Sequence, residues 1–293
     1  MDDLRPGKLF VFGLGYSMAR LARRLRDLGW QVAGTTRDSD RLAQLRAEGF
    51  DAHPFGPDQP LDPAVLAGTS HLVQSISPEE SGDPVVPALA ETLKALPELR
   101  WVGYLSTPAV YGDRDGAWID ETAAPAPGSP RGWKRLEAER AWFAAFQDTG
   151  VPVQVFRLAG IYGPGRSAFD QLRRGRARRI DKPGQVFNRI HVDDIGSILL
   201  ASMRRPRAGA VYNVADGHPS SPNDPIEYAC RLLGIDPPPL VPFEDAGLSP
   251  LGREFYAECK RLTVDRIKGE LGVALTYPSY REGLDAIRAE EQA

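Results

Sequence analysis

The chain is poor in the residues on which small secreted and metal-dependent proteins are built. It contains two cysteines, Cys230 and Cys259, and four histidines. The two thiols are far apart in sequence, in surroundings that read as helical. That excludes a disulfide framework or a zinc site and fits a reducing compartment. No window approaches the ~18 apolar residues needed for a membrane span. The start, Met1-Asp2-Asp3-Leu4-Arg5, lacks the basic patch, apolar stretch and cleavage site of a leader. A soluble, cytoplasmic protein with no membrane attachment is expected. Positive charge is not in excess either, since 36 Lys+Arg stand against 39 Asp+Glu for a net charge of -3. That balance argues against a general nucleic-acid binder. Internal repeats and low-complexity tracts are also missing.

What is present is enough apolar sequence, 42% of 293 residues, for one large core or two fused ones. Its most informative stretch runs Lys8-Leu9-Phe10-Val11-Phe12-Gly13-Leu14-Gly15-Tyr16-Ser17-Met18-Ala19. The run 9–12 suits a parallel strand covered on both faces, and Met18, Ala19, Leu21, Ala22, Leu25 and Leu28 recur at helical spacing until Gly29. Gly13 permits a tight turn, and Gly15 lets the backbone approach a pyrophosphate that would meet the helix amides of Tyr16, Ser17 and Met18. The third glycine of the G-x-G-x-x-G fingerprint is missing, because Met18 stands in its place. A second strand, 30–34, ends in Thr35-Thr36-Arg37. No carboxylate occupies the position about 20 residues past the glycines where NAD sites hold the ribose. Thr36 and Arg37 are therefore assigned to a 2'-phosphate and the adenine face, which favours NADP over NAD; a plain solvated loop arginine is the alternative.

Strand-like segments near 8–13, 30–35, 50–55, 70–76, 100–106 and 152–158 alternate with helical patterns at 16–28, 40–47, 62–67, 84–96 and 132–149. This predicts an α/β fold, a doubly wound parallel Rossmann sheet with a smaller C-terminal substrate lobe. The expected division is 1–160 plus about 186–215 for the dinucleotide domain, and 161–185 plus 216–293 for the lobe. The helix after His191 and the strand 210–214 return to the main sheet. Ligand chemistry belongs at the carboxyl ends of the strands, where Ser75 and Ile76, Ser106 and Thr107, and Gly160 lie. The proline-rich loop 122–130 either covers the cleft or runs over the surface. Arg173, Arg174, Arg176, Arg178 and Arg179 form a basic run, read as an anion site at the rim or as a solvated face balanced by acidic neighbours. Phe243, Phe255, Tyr256 and Tyr277 read as core of the lobe. Trp142, Phe143 and Phe146 read as core or as a dimer surface.

The segment Ser106-Thr107-Pro108-Ala109-Val110-Tyr111-Gly112-Asp113 resembles the active-site strand end of the extended short-chain dehydrogenases/reductases, the superfamily of nucleotide-sugar epimerases and dehydratases. Ordered matches follow at Arg157-Leu158-Ala159-Gly160-Ile161-Tyr162-Gly163, Phe187-Asn188-Arg189-Ile190-His191-Val192-Asp193-Asp194 and Val211-Tyr212-Asn213. The details are most similar to an atypical subgroup of epimerase/dehydratase-like proteins. The resemblance implies NAD(P) binding, with Ser106 on the cofactor side and Thr107 as the catalytic hydroxyl. It further implies substrate contacts from Arg157, Gly160, Arg189 and His191, and assembly as a monomer or homodimer.

Two departures qualify that resemblance. Aligning Gly132, Leu136 and Glu139 puts the family's Tyr-x-x-x-Lys on Arg131 and Arg135, and a slip that keeps Lys134 as the lysine puts Pro130 at the tyrosine. In neither register is the phenol that exchanges a proton during hydride transfer present. Arginine keeps its proton and serves only to bind an anion or steady an oxyanion. Tyr111 is the preferred substitute for the phenol, with a packing role as the alternative. Gly160 replaces an asparagine that helps nucleotide-sugar enzymes hold the diphosphate. The expectation is an NAD(P)-dependent oxidoreductase or epimerase/dehydratase-like enzyme acting on a small polar substrate, anionic or neutral. A non-catalytic NADP-binding sensor or regulator is the alternative. No metal is expected.

Overall fold

The computed structural model describes residues 4–292. Met1 to Asp3, part of the segment in which a leader was sought, and Ala293 lie outside the described residues. Five strands open the fold: β1 (Lys8–Phe12), β2 (Gln31–Thr36), β3 (Asp51–Pro54), β4 (Thr69–Gln74) and β5 (Trp101–Ser106). With Val153–Leu158 and Val211–Val214 they make one seven-stranded sheet in the order Val211–Val214, Val153–Leu158, β5, β4, β1, β2, β3. The pairings from β3 across to Val153–Leu158 are all parallel. β4 and β5 are buried throughout; β5 carries an apolar run, Trp101 to Leu105, whereas β4 buries Thr69, Ser70, His71 and Gln74 beside Leu72 and Val73.

The crossovers include α1 (Tyr16–Asp27), α2 (Ser39–Ala47), α3 (Val86–Lys94) and α4 (Pro130–Phe146). The segment expected to be helical at 62–67 is a single 3-10 turn, Pro63–Leu66, held by Asp62 accepting from the Ala64 amide. One face of the sheet packs Phe10, Phe12, Leu72, Val102 and Tyr104 against Leu89, Leu93, Trp142 and Phe146. Trp142 and Phe146 are therefore core residues, with Phe143 packed beside them.

A row of rings crosses the sheet from Trp30 through His71, Trp101 and Phe156 to Tyr212, with centroids 4.9, 6.1, 6.2 and 5.6 Å apart in turn. Burial, and next the charge of Arg100, pull the His71 pKa down to about 3, so the ring stays neutral.

The chain divides into two compact units, residues 1–107, 130–157 and 196–212 in the first and 108–129, 158–195 and 213–293 in the second. The expected division kept 108–129 and 186–195 with the first. Their backbone hydrogen bonds explain the difference. Trp118–Ile119 pairs with Arg261–Leu262, and Asp113 accepts from the Cys259 amide at 2.6 Å. Arg189–His191 pairs in parallel with Gly160–Tyr162. The loop 122–130 is mostly exposed and runs over its own unit, with the Ala126 amide donating to Val110 O at 3.0 Å.

Within the second unit Tyr162, Phe169, Ile226, Tyr280, Leu284 and Ile287 form the main core, and Ile180, Ala246 and Tyr256 form a second cluster. Phe255, expected in the core, is 48% exposed because Tyr256, not its neighbour, faces inward from the short helix Pro250–Tyr256. Cys230 is buried in a helix, but Cys259 lies in an extended stretch ahead of Arg261–Leu262 and not in a helix. No helix among the described residues is long and apolar enough to cross a membrane.

Candidate active site

The carboxyl ends of β1, β2, β4 and β5 lie along one edge of the first unit, as parallel pairing requires. β1 delivers the glycine turn. Gly13 has φ +92°, and a Cβ there would press on Ile76 Cγ1 at 3.1 Å, so both backbone and space demand glycine. Its amide donates to Thr35 Oγ1 at 3.1 Å, and the Leu14 amide donates to Thr35 O at 2.7 Å, which ties the turn to β2. That approach is close because Gly34 has no side chain; a Cβ there would come within 2.5 Å of Val11 O.

Gly15 is different. Its φ of -81° and ψ of -162° suit any residue, and a Cβ would meet nothing within 4 Å. The turn itself gives no reason for glycine there. Helix α1 follows with Gly15 as its cap, no side-chain cap and no acidic residue in the first turn. The positive end of the helix is thus not offset by an acid of its own, and open space stands over it. Met18 is buried on the face that carries Ala19, Leu21, Ala22 and Leu25. The longer side chain is accommodated in packing and leaves the space above Gly15 open.

At the other strand ends, the Ser75 amide donates to Phe12 O and the Ile76 amide to Gln74 Oε1, both at 2.8 Å. Gln74 in turn donates to Asp83 Oδ2 at 2.9 Å, and Asp83 caps the start of α3 through the Val85 and Val86 amides. Thr36 accepts from the Asp38 amide at the tip of β2. Arg37 is 76% exposed there and faces Glu79 at 3.5 Å.

Two assignments at this edge need correction. Ser106 Oγ donates to Glu139 Oε1 in a buried contact, so its hydroxyl is committed to the interior and is not available to a cofactor. Arg157 is also buried and forks onto the same carboxylate, Nε to Oε1 at 3.1 Å and Nη2 to Oε2 at 2.7 Å. Its guanidinium holds Glu139 rather than presenting a substrate contact. The role of Glu139 was not legible in the sequence, because a buried helical carboxylate has no signature of its own until its arginine partner is located.

Arg131 is exposed on the first turn of α4. Arg135 donates through Nη1 to Leu105 O at 2.7 Å and through Nη2 to Ser77 Oγ at 3.0 Å. It therefore bridges the ends of β5 and β4, and its guanidinium passes 5.9 Å from the centre of the Tyr104 ring. Burial raises the Tyr104 phenol well above its ordinary range and excludes it as a proton donor near neutrality. Thr107 follows β5 and is half-buried.

In the second unit, Tyr111 is fully buried and its hydroxyl donates to Asn213 Oδ1 at 2.7 Å. The expected stand-in for the missing phenol is thus a packing residue with a satisfied hydroxyl. Gly160 is exposed, its amide donates to Asn188 O at 3.0 Å, and a Cβ would approach that oxygen to 3.2 Å. The tight approach accounts for glycine at a position where the resemblance predicts asparagine.

Arg189 spends its donors inside its own unit, on Ser220 Oγ at 2.7 Å, Phe187 O at 3.2 Å and Ser221 O at 3.1 Å. Burial lowers its pKa, and the nearby charge of Asp216 works against that shift. A substrate-contact role for Arg189 is corrected on the same ground as for Arg157. His191 is buried, with its ring 3.8 Å from that of Tyr277 and 5.2 Å from that of Tyr162. It serves the interior of the second unit. The basic run resolves into separate roles. Arg173 pairs with Asp170 and Glu291, Arg179 with Glu227, and Arg178 donates to Ala246 O.

Comparison with known proteins places these features in context. Residues 85–215 match the model of the NAD dependent epimerase/dehydratase family. Over 286 residues the chain is 28% identical to Protein YeeZ of Escherichia coli K12, covering 92% of this chain and 96% of that protein. A solved structure of a functionally unknown conserved protein from Silicibacter pomeroyi DSS is 49% identical, with a TM-score of 0.89 over 98% of this chain and all of that one. The structure of MoeE5 in complex with UDP-glucuronic acid and NAD shares the fold at 22% identity, with a TM-score of 0.77 over 98% of this chain and 99% of that one.

Proposed function

The chain belongs to the NAD dependent epimerase/dehydratase family, and from that premise we propose that it is an NAD(P)-dependent oxidoreductase or epimerase/dehydratase-like enzyme. The proposed substrate is a small polar molecule, anionic or neutral, the setting is the cytoplasm, and NADP is preferred over NAD. The observation that carries the reading is Gly15, a glycine the local fold does not need, standing under open space at the unoffset start of α1. A pyrophosphate placed there meets the amides of Tyr16, Ser17 and Met18 without a side chain in its way. Gly13 and Ile76 shape the floor of that site, and Thr36 with Arg37 stands where the adenosine ribose and its phosphate would lie. When bound, the cofactor supplies a hydride donor or acceptor.

The chain's own part in the chemistry is narrower than the family pattern. Thr107 offers a hydroxyl to a carbonyl or alcohol. Arg131 offers a fixed positive charge that binds an anion or steadies an oxyanion. Arg135, bonded to Leu105 O and Ser77 Oγ, fixes the strand ends. MoeE5 is described with a nucleotide sugar, but Gly160 leaves no amide side chain for a diphosphate here, which supports a smaller substrate. A second reading, a non-catalytic NADP-binding sensor, is favoured by the commitment of both Tyr111 and Arg135 to internal hydrogen bonds.

Calorimetry with NADPH, NADP+, NADH and NAD+ tests the cofactor half. Arg37→Ala is expected to weaken NADPH about 10- to 100-fold, the worth of a charge-assisted contact, and to weaken NADH much less, since NADH shares only the adenine face. Equal affinity for all four forms in the wild type would refute the NADP preference. Arg131→Tyr combined with Arg135→Lys separates the two functional readings. Newly gained cofactor turnover over a metabolite panel supports an intact site that lacks only its proton donor; turnover already present in the wild type removes the sensor.

A further inference from the structure

A carboxylate from the segment after β4 stands beside Arg37 at the end of β2. After β4 the chain makes a tight turn closed by Glu79 and Gly82, whose amides and carbonyls bond reciprocally at 2.9 and 3.2 Å. Gly82 takes φ +102° to allow it. The turn brings Glu79 Oε1 to 3.5 Å from Arg37 Nη1. A second tight turn, Gly56 with Gln59, lies on another side of Arg37, where a Cβ on Gly56 would stand 3.7 Å from Arg37 Cβ.

Two basic residues of α4 contact the segment that carries Glu79. Lys134 Nζ meets Glu80 Oε1 at 2.5 Å, and Arg135 Nη2 donates to Ser77 Oγ at 3.0 Å. These contacts lie at the two ends of the segment 77–80. Glu79 is 29% exposed against 76% for Arg37, so it is the better-held member of the pair.

Resting on the reading that Arg37 takes the 2'-phosphate, we propose that Glu79 is a cofactor-specificity residue that sets how strongly the site prefers NADP. An exposed ion pair contributes little to stability, so the pair has no strong structural purpose. Its electrostatic effect on a ligand is larger. A 2'-phosphate carries nearly two negative charges, and it must share the Arg37 guanidinium with a carboxylate already beside it. NAD brings only a ribose hydroxyl to the same place and meets no such repulsion; the hydroxyl can donate to the carboxylate. Glu79 thus narrows the advantage that Arg37 gives to NADP and keeps NAD usable.

The test is calorimetric titration of the full chain with NADPH and NADH, for wild type, Glu79→Gln and Arg37→Ala. Glu79→Gln keeps the shape and removes the charge. It should tighten NADPH about tenfold, as expected for a unit charge acting on a near-dianion at ion-pair spacing in water. NADH should not tighten. Raising the salt concentration should shrink the NADPH gain, because Arg37 is exposed and Glu79 is reached by solvent. Unchanged or weaker NADPH binding in Glu79→Gln, with Arg37→Ala still weakening it, overturns the role of Glu79 and leaves the Arg37 reading standing. If NADPH binds the wild type and Arg37→Ala alike, the Arg37 reading itself fails, and the proposal falls with it.

Discussion

Glu139→Gln should lower the unfolding free energy by about 3–5 kcal/mol, the usual cost of removing one partner of a buried ion pair. The carboxylate receives both forks of Arg157 and the Ser106 hydroxyl, and the side chains of the pair are 3% and 5% exposed. A neutral amide leaves the guanidinium charged in a place that water does not reach, and it turns an NH2 toward groups that are themselves donors. Replacing both partners with leucine should cost far less, because the desolvation of two charges disappears with them. Urea unfolding of the two single variants and the double variant checks this. A Glu139→Gln cost below about 1 kcal/mol, the value of an exposed pair, would mean that water reaches Arg157, and its substrate role would have to be reconsidered.

The second large effect is a pair of opposed pH dependences. Burial pushes the Asp216 carboxyl up to about 7, against the bond it accepts from the His218 amide and the charge of Arg189. Its Oδ2 is buried without a hydrogen-bond partner. The folded chain therefore holds a proton that the unfolded chain releases. The associated stability is full below pH 3.8 and is lost as pH rises through 7, by about 4 kcal/mol over three pH units. His71 has the opposite sign. Its folded pKa of about 3 lies below the ordinary 6.5, so stability is full above pH 6.5 and is lost as pH falls toward 3.

Between pH 4 and 6.5 the two nearly cancel, and each substitution unmasks the other. Asp216→Asn should be more stable than wild type by several kcal/mol at pH 8, with the gain vanishing near pH 4. His71→Gln carries a constant packing cost, but its difference from wild type should shrink steadily as pH falls below 6.5. Chemical denaturation across pH 4 to 8 reads both differences. A pH-independent difference for either variant would show that the group titrates normally in the folded chain.

Much of the fold was readable because one physical feature repeats. Strands buried on both faces leave apolar runs with little alternation, as in β1 and β5, and Gly13 marks the turn after β1, so β1 to β5 and the return strand near 211 lie within a residue or two of their expected places. The glycine turn was equally legible, because Gly13 needs a positive φ that other residues avoid. The second unit was harder to read. Its strands are two or three residues long, too short for a period, and the ties that hold 113–118 to 259–262 span over 140 residues of sequence.

At the site, charged residues were the least legible. Arg157, Arg189 and Arg135 carry the same letter as Arg37, yet three of them are consumed by Glu139, by backbone carbonyls and by Ser77, and only Arg37 projects into solvent. An arginine's role depends on which acceptor the fold places beside it, and Glu79 and Glu139 lie 42 and 18 residues from the arginines they meet. Tyr111 shows the same limit in reverse, since Asn213 is 102 residues away.

The central claim is that the chain binds a dinucleotide over Gly15, and that site can be blocked without disturbing the fold. Gly15→Val places methyl groups in the open space above α1, on a backbone that accepts them. NADPH titration of this variant, beside its thermal melt, is the decisive measurement. The account predicts an unchanged melting temperature and a loss of NADPH affinity of about 100-fold or more, roughly 2.8 kcal/mol. NADPH binding as tight as in the wild type would contradict it, because no pyrophosphate could then lie where the glycine turn and the helix start provide for one.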